Sequence, residues 1–182
     1  MNRLIALLML LLLSPLFVMV ALAIFLEDGA PVFFVQKRVG KNYSFFALYK
    51  FRTMKKDTPN VATHLLDNPK QYLLGLGGLL RKLSLDELPN LVNIVRGEMV
   101  FVGPRPALYN QEDLMALRLA AGVEKQMPGI TGWAQINGRD SISLEEKVAL
   151  EKYYLDNQSL ALDLKILWRT LFKVAGDTTV SH

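Results

Sequence analysis

Leu4 to Leu26 reads LIALLMLLLLSPLFVMVALAIFL: 23 residues without a charge, in which only Ser14 and Pro15 are not apolar. At 1.5 Å per residue a helix of this length measures about 34 Å, enough to cross the hydrocarbon of a bilayer. Three readings follow from the residues. A plain transmembrane helix is the default for such a run, and the residues by themselves favour it. A signal peptide is the second, with Asn2-Arg3 as a thin basic start and Ala21-Leu22-Ala23 as a small-residue cleavage site, although the run is long for a signal core. A re-entrant helix that enters and leaves by one face is the third. Pro15 near the middle lacks an N–H and clashes with the carbonyl four residues back. Ser14 can bond the backbone group so released, which lipid cannot do.

Outward from this run the composition becomes ordinary for a soluble domain, so the chain divides into a membrane segment at 1–28 and a globular domain at 29–182. Lys37, Arg38, Lys41, Lys50, Arg52, Lys55 and Lys56 follow the segment and only Arg3 precedes it. That asymmetry places the C-terminal domain in the cytoplasm. The net charge of +4 is too small to imply nucleic acid by itself. With no Cys, disulfides and thiolate chemistry are excluded, and two histidines, His64 and His182, argue against a histidine-built zinc site. A metal here would be a hard cation held by carboxylates and phosphates.

Pro31–Lys37 and Ser44–Lys50 are β-branched and aromatic runs around Gly40-Lys41-Asn42, the pattern of a hairpin. Thr53–Pro69 reads as a loop. The glycines at 75, 77 and 78 lack the following Gly-Lys-Ser/Thr of a phosphate loop. Ser84–Arg96 reads as a helix, Gly103–Pro106 as a rigid loop, and Leu108–Ala121 as a helix stopped by Gly122. Pro128–Arg139 reads as loop or short strand. Ser143–Leu155 and Leu160–Ala175 read as helices. The last carries Lys165, Arg169 and Lys173 on one side and Leu160, Leu164, Leu167 and Leu171 on another, with Trp168 at the boundary. This fits an interfacial membrane helix and equally a helix packed on the core.

Asp86-Glu87 is the pair most able to carry chemistry. A carboxylate at a helix start is kept ionised by the dipole and serves as nucleophile or metal ligand. The competing reading is a capping box, Ser84-Leu-Asp-Glu87, in which Glu87 only closes the helix end. Pro89 one turn in argues against a simple cap and for a kink or a later helix start. Ser143-Leu-Glu-Glu146 is a second match, read as a true cap. Lys50, Arg81, Arg105 and Arg139 lie near turns, where Arg suits phosphate. Together with the carboxylates and the membrane segment they point to a diphosphate substrate handled at a membrane surface. Trp133 and Gln135 in a glycine-rich loop either hold a base or pack.

Seven strings recur in order: Ser14-Pro15, Gln36-Lys-Arg-Val-Gly40, Tyr49-Lys-Phe-Arg-Thr-Met54, Leu83-Ser-Leu-Asp-Glu-Leu-Pro89, Phe101-Val-Gly-Pro-Arg-Pro106, Pro128-Gly-Ile-Thr-Gly-Trp-Ala-Gln-Ile-Asn-Gly-Arg139 and Leu162-Asp-Leu-Lys-Ile166. In order and spacing the chain resembles the bacterial sugar transferases, the monotopic phosphoglycosyl transferases, from about Leu4 to Ala175. The resemblance implies a fold that is mainly α with a small β element. It implies a re-entrant membrane helix broken at Ser14-Pro15, replacing the plain span. It also implies a compact catalytic domain with interfacial amphipathic helices on the cytoplasmic face of a bacterial inner membrane. Asp86 would be the nucleophile on a UDP-sugar, leaving a phosphosugar on the aspartate and releasing UMP. Polyprenol phosphate would then take the phosphosugar. Mg²⁺ would be the cofactor, with Asp86 and Glu87 as its ligands and Glu87 alternatively the base. Lys50, Arg81, Arg105, Gln135, Arg139 and Asp163 would bind substrate or shape its site. The phospholipid membrane is an implied partner, nucleic acid is not, and a homo-oligomer is left open. Met127 stands where the family commonly has Arg, Asn2 stands near a common Asp, and Glu98 replaces a common Asp. Three rivals remain: a membrane-anchored interaction module without catalysis, direct transfer without a covalent step, and a secreted protein cleaved after Ala23.

Overall fold

The computed structural model describes residues 1–58, 68–138 and 142–176. The apolar run forms two helices, α1 (Asn2–Leu12) and α2 (Ser14–Asp28), bent by 62° at the Ser14-Pro15 break. Among the described residues no single helix is long and apolar enough to cross a membrane. Pro15 cannot donate to the carbonyl of Leu11, and the Ser14 hydroxyl donates to that oxygen instead, at 2.8 Å. The uninterrupted helix favoured by length and hydropathy is therefore corrected to a broken one, for the reason that proline supplies locally.

The two halves of the bent pair pack on different cores. Ala6 of α1 joins Phe46, Leu48, Leu91, Ile94 and Met99. Val20 and Ile24 of α2 join Phe51, Leu74 and Leu80. Their outward faces carry Leu4, Leu8, Leu11, Leu12, Val18, Met19, Leu22 and Leu26, all exposed. Where α2 ends, Arg52 pairs with Asp28 and donates to the carbonyl of Gly29 at 2.7 Å, tying the helix end to the chain just after Phe51.

The hairpin forms as expected, β1 (Phe33–Val39) antiparallel to β2 (Phe45–Phe51), with a tight turn at Lys41–Tyr43. After it come α3 (Gly77–Lys82), α4 (Asn90–Arg96), β3 (Val100–Val102), α5 (Glu112–Ala121), β4 (Gly129–Thr131), α6 (Trp133–Asn137), α7 (Leu144–Asp156) and α8 (Leu160–Gly176). β3 and β4 form a short parallel pair. The chain is thus mainly helical with small sheets.

Several expected elements shift. The helix expected over Ser84–Arg96 is divided. Ser84 adopts a left-handed conformation, φ 54°, Leu85–Glu87 forms one 3₁₀ turn, and the α-helix begins only after Pro89. The later start is the proline's doing. The helix expected from Leu108 begins at Glu112, because Leu108 bridges to Arg38 in extended form and its N–H donates to the Gln111 side chain. Pro128–Arg139 holds a helix as well as a strand. The Ser143–Glu146 capping box is present in full.

On α8, Ile166 is buried beside Val102, Ile136 and Tyr154, and Leu167 packs against them. Leu160, Leu164, Trp168 and Leu171 are exposed. The helix therefore has an inward apolar side and an outward one, and the outward one holds three of the four leucines read as a stripe.

Candidate functional site

The site begins with a turn. Because Ser84 and Pro89 prevent a continuous helix, Asp86 and Glu87 sit on the short Leu85–Glu87 turn that packs against β2. Ser84 makes no side-chain cap bond. Glu87 is engaged elsewhere: Lys50 Nζ at the end of β2 reaches its Oε1 at 2.7 Å, and Arg105 Nη2 reaches the same oxygen at 3.1 Å. The helix-cap reading of this pair is thereby corrected. A carboxylate with two cations nearby is worth more to the fold as an ion-pair centre than as a cap.

The two neighbouring carboxylates are driven apart. Burial raises Glu87, but Arg105 and Lys50 outweigh it and hold its carboxyl well below the usual range. Burial raises Asp86 to about 6, while Lys50 and Arg81 pull it down less and Glu87 adds to the rise. Asp86 forms no ion pair among the described residues. The expectation that a helix dipole would favour its ionised form is corrected, because a single 3₁₀ turn supplies no macrodipole to offset desolvation.

Around the pair, Arg81 at the end of α3 donates from Nε to Thr53 Oγ1 at 2.9 Å and lies within the electrostatic reach of Asp86. Arg105 rides on the Gly103–Pro106 loop between β3 and α5. That loop is fixed from behind. The buried Arg118 of α5 donates to the Arg105 carbonyl at 2.8 Å and forks onto Glu151 of α7 at 2.8 and 2.5 Å. Glycines let the strands below meet. A Cβ on Gly129 would stand 2.2 Å from the backbone N of Gly103. Gln135 on α6 reaches toward the Gly103 carbonyl at 3.5 Å, under the same loop.

Lys50, Glu87 and Arg105 are thus in contact, and Asp86 and Arg81 share their field. Asp163 is not in that group: its carboxylate accepts from the Tyr154 hydroxyl at 2.6 Å, between α7 and α8. Trp133 stacks on Tyr153 with ring centres 5.4 Å apart, so it packs. Arg139 lies outside the described residues. Two cleft residues were not among the expected site residues. Arg38 and Asn90 line a narrow cleft with Lys50, Glu87, Arg105 and Pro106. Arg38 was counted only as a charge flanking the apolar run. Its signal was its place in the Gln36–Gly40 string, one strand across from Lys50. Asn90 carried no local signal beyond its place directly after Pro89.

No cluster of three metal-ligating side chains occurs among the described residues. Two carboxylates, one of them already between two cations, do not make a resident site for a divalent ion. They do suit a hard cation shared with substrate phosphates, which needs only one or two protein carboxylates.

The family model described as bacterial sugar transferase matches residues 1–177. The chain is 48% identical over 149 residues to the uncharacterized sugar transferase EpsL of Bacillus subtilis, covering 82% of this chain and 72% of that one. It is 40% identical over 180 residues to the exopolysaccharide production protein ExoY of Rhizobium meliloti, covering 89% and 78%. Against the UDP-glucose:undecaprenyl-phosphate glucose-1-phosphate transferase of Escherichia coli it is 38% identical over 176 residues, covering 92% of this chain and 38% of that longer one.

Proposed function

The chain belongs to the bacterial sugar transferase family, and from that membership and the Asp86–Glu87 geometry we propose that it moves a phosphosugar from a UDP-sugar to polyprenol phosphate through an aspartyl intermediate. It is an enzyme of the phosphoglycosyl transferase kind, as the names of its relatives indicate. The observation that carries the covalent reading is the divergence of two adjacent carboxylates. Glu87 is locked by Lys50 and Arg105, whereas Asp86 has no ion-pair partner among the described residues and is raised to about 6, so it is ionised yet reactive at neutral pH.

In the first step an Asp86 carboxylate oxygen attacks the β-phosphorus. The bond from that phosphorus to the bridging oxygen breaks, and UMP leaves with the oxygen and its electron pair. In the second step a phosphate oxygen of the polyprenol phosphate attacks the same phosphorus. The Asp86 oxygen departs, restoring the carboxylate and leaving a polyprenyl-diphosphate sugar. A soluble donor and a lipid acceptor thereby use one small site in turn. Lys50, Arg81 and Arg105 offset the negative charge of the diphosphate. Glu87 serves as the anchor that positions Lys50 and Arg105. A carboxyl held so low is a poor proton acceptor, so the base role is the weaker of its two expected ones. Asp86 and Glu87 are the residues that would hold Mg²⁺ together with substrate phosphate, and the ion would supply further charge neutralisation.

The acceptor fixes the setting. The bent α1–α2 pair enters the membrane from one face, broken at Ser14-Pro15, with 29–182 as the catalytic domain on the cytoplasmic side. The Ser14 bond to Leu11 supports this, because it satisfies a backbone group inside hydrocarbon. The exposed Leu160, Leu164, Trp168 and Leu171 of α8 support a second contact at the interface.

The test is intact mass of the protein in nanodiscs after incubation with Mg²⁺ and a panel of UDP-sugars without acceptor. A mass gain of one phosphosugar with UMP release, absent in Asp86→Asn, is expected. UMP appearing only after polyprenol phosphate is added, with no adduct, would establish direct transfer instead. An Asp86→Asn variant as active as the wild type would sink the catalytic reading.

A further inference from the structure

The cleft beside Glu87 holds more positive charge than its carboxylate balances. Arg38, Lys50 and Arg105 face it, and Glu87 is the one carboxylate lining it among the described residues. Lys50 and Arg105 both reach Glu87. Arg38 makes no ion pair among the described residues, and Glu87 acts on it only through its field: its Nε and Nη2 are held by Gln36 Oε1, at 3.0 and 2.5 Å, and Nη1 donates to the Pro106 carbonyl at 3.0 Å. Three of its five N–H groups are spent on these neutral acceptors, and one N–H on each terminal nitrogen remains. A guanidinium fixed by neutral acceptors and short of counter-charge costs stability unless an anion completes it.

A second observation points into the same cleft. Asn90, the first residue of α4, is 2% exposed, and its side-chain oxygen has no hydrogen-bond partner among the described residues. A buried amide left half-satisfied is uncommon. Turned by half a turn, that amide would put an N–H where the orphaned oxygen stands, and an anion in the cleft would be its acceptor.

We propose that Arg38 and Asn90 directly bind a phosphate of the donor's diphosphate, completing with Lys50 and Arg105 an anion site beside the Asp86–Glu87 turn. This rests on the diphosphate reading of the site. Two features suit the role. Arg38 is held rigid by Gln36, so little side-chain freedom is lost on binding. Three cations against one lining carboxylate among the described residues suit the negative charge of the donor's diphosphate.

The test measures calorimetric binding of UMP and of inorganic diphosphate to the full chain in nanodiscs. Arg38→Gln, Arg38→Lys, Asn90→Leu, Arg105→Gln and the double variant Arg38→Gln/Arg105→Gln are compared with the wild type. Arg38→Gln is expected to weaken both ligands at least tenfold, Arg38→Lys about threefold or more, and Asn90→Leu severalfold. The double variant should bind more weakly than either single variant, because each side chain makes its own contact with the anion, although two groups sharing one ligand need not contribute independently. If Arg38 only braces the Pro106 carbonyl, and so Arg105, the double variant would bind no worse than Arg105→Gln. That result would overturn the proposal, as would wild-type affinity in a folded Arg38→Gln. Should Arg38→Gln fail to fold, Arg38→Lys decides: an ammonium keeps the charge but not the fork, and unchanged affinity in it would overturn direct binding. Failure of the larger reading looks different. The wild type would then bind inorganic diphosphate in an Arg38-dependent way while releasing no UMP from any UDP-sugar.

Discussion

Asp86 and Glu87 are adjacent, chemically alike and set to opposite tasks by what lies within a few ångströms. Lys50 and Arg105 converge on one oxygen of Glu87. Asp86 is left to desolvation, which raises it to about 6. This has a consequence for stability that is independent of turnover. A carboxyl whose folded value lies above its unfolded one binds its proton more tightly in the native state. Stability from Asp86 therefore falls as pH rises from about 4 to about 6 and is level above that. Asp86→Asn should accordingly melt at the same temperature as the wild type near pH 4 and at a higher one at pH 7.5, in metal-free buffer. The same variant should lose activity by about a thousandfold or more, the scale seen when a nucleophile is removed. A variant that is more stable yet inactive identifies a functional group. Lower stability at pH 7.5 would mark Asp86 as structural. Glu87 carries the opposite sign: its contribution is present at neutral pH and lost in acid, so Glu87→Gln should lower the melting temperature at pH 7.5.

At the scale of elements, the site depends on interruptions. Pro89 and the left-handed Ser84 shorten the helix so that a turn, not a helix face, presents the carboxylates. The Gly103–Pro106 loop is held by a buried ion pair, Arg118 with Glu151, which also donates to the Arg105 carbonyl. Arg118→Met leaves Glu151 buried and unpaired, a change expected to cost about 3–5 kcal/mol in urea unfolding. Arg118→Leu/Glu151→Leu together should recover much of that, because removing both charges removes the orphan. If the single variant unfolds like the wild type, the pair is not what fixes the loop. The capping box at Ser143 was legible because all its parts are local. The parallel β3–β4 pair was not, since three-residue strands have no readable period and exist only because Gly103 and Gly129 allow their backbones to touch.

For the whole molecule, the proposed membrane insertion makes the break at Ser14-Pro15 the feature that sets on which side Asn2 lies. A re-entrant pair keeps Asn2 on the same face as the catalytic domain, and a spanning helix puts it across. The chain has no Cys, so a single introduced thiol reports cleanly. Asn2→Cys and, separately, Lys147→Cys should react with a membrane-impermeant maleimide in the same vesicle orientation. Reaction in opposite orientations would mean that the segment spans. Pro15→Leu restores a backbone donor and is expected to shift Asn2→Cys toward the far side.

The sequence by itself determined the family, the apolar segment, the hairpin, most helices and the acidic pair, and the break at Ser14-Pro15 only through the family resemblance. Each of these is written in local pattern: a run of leucines, a proline, a capping box, a string of motif residues at fixed spacing. Only the tertiary structure decided that Glu87 is an ion-pair centre and not a cap, that Asp86 is raised and not lowered, and that Asp163 answers to Tyr154. It alone placed Arg38 and Asn90 in the cleft. Those outcomes depend on burial and on charges brought from β1, β2 and the Gly103–Pro106 loop. Desolvation and the approach of distant charges have no signature in residue order.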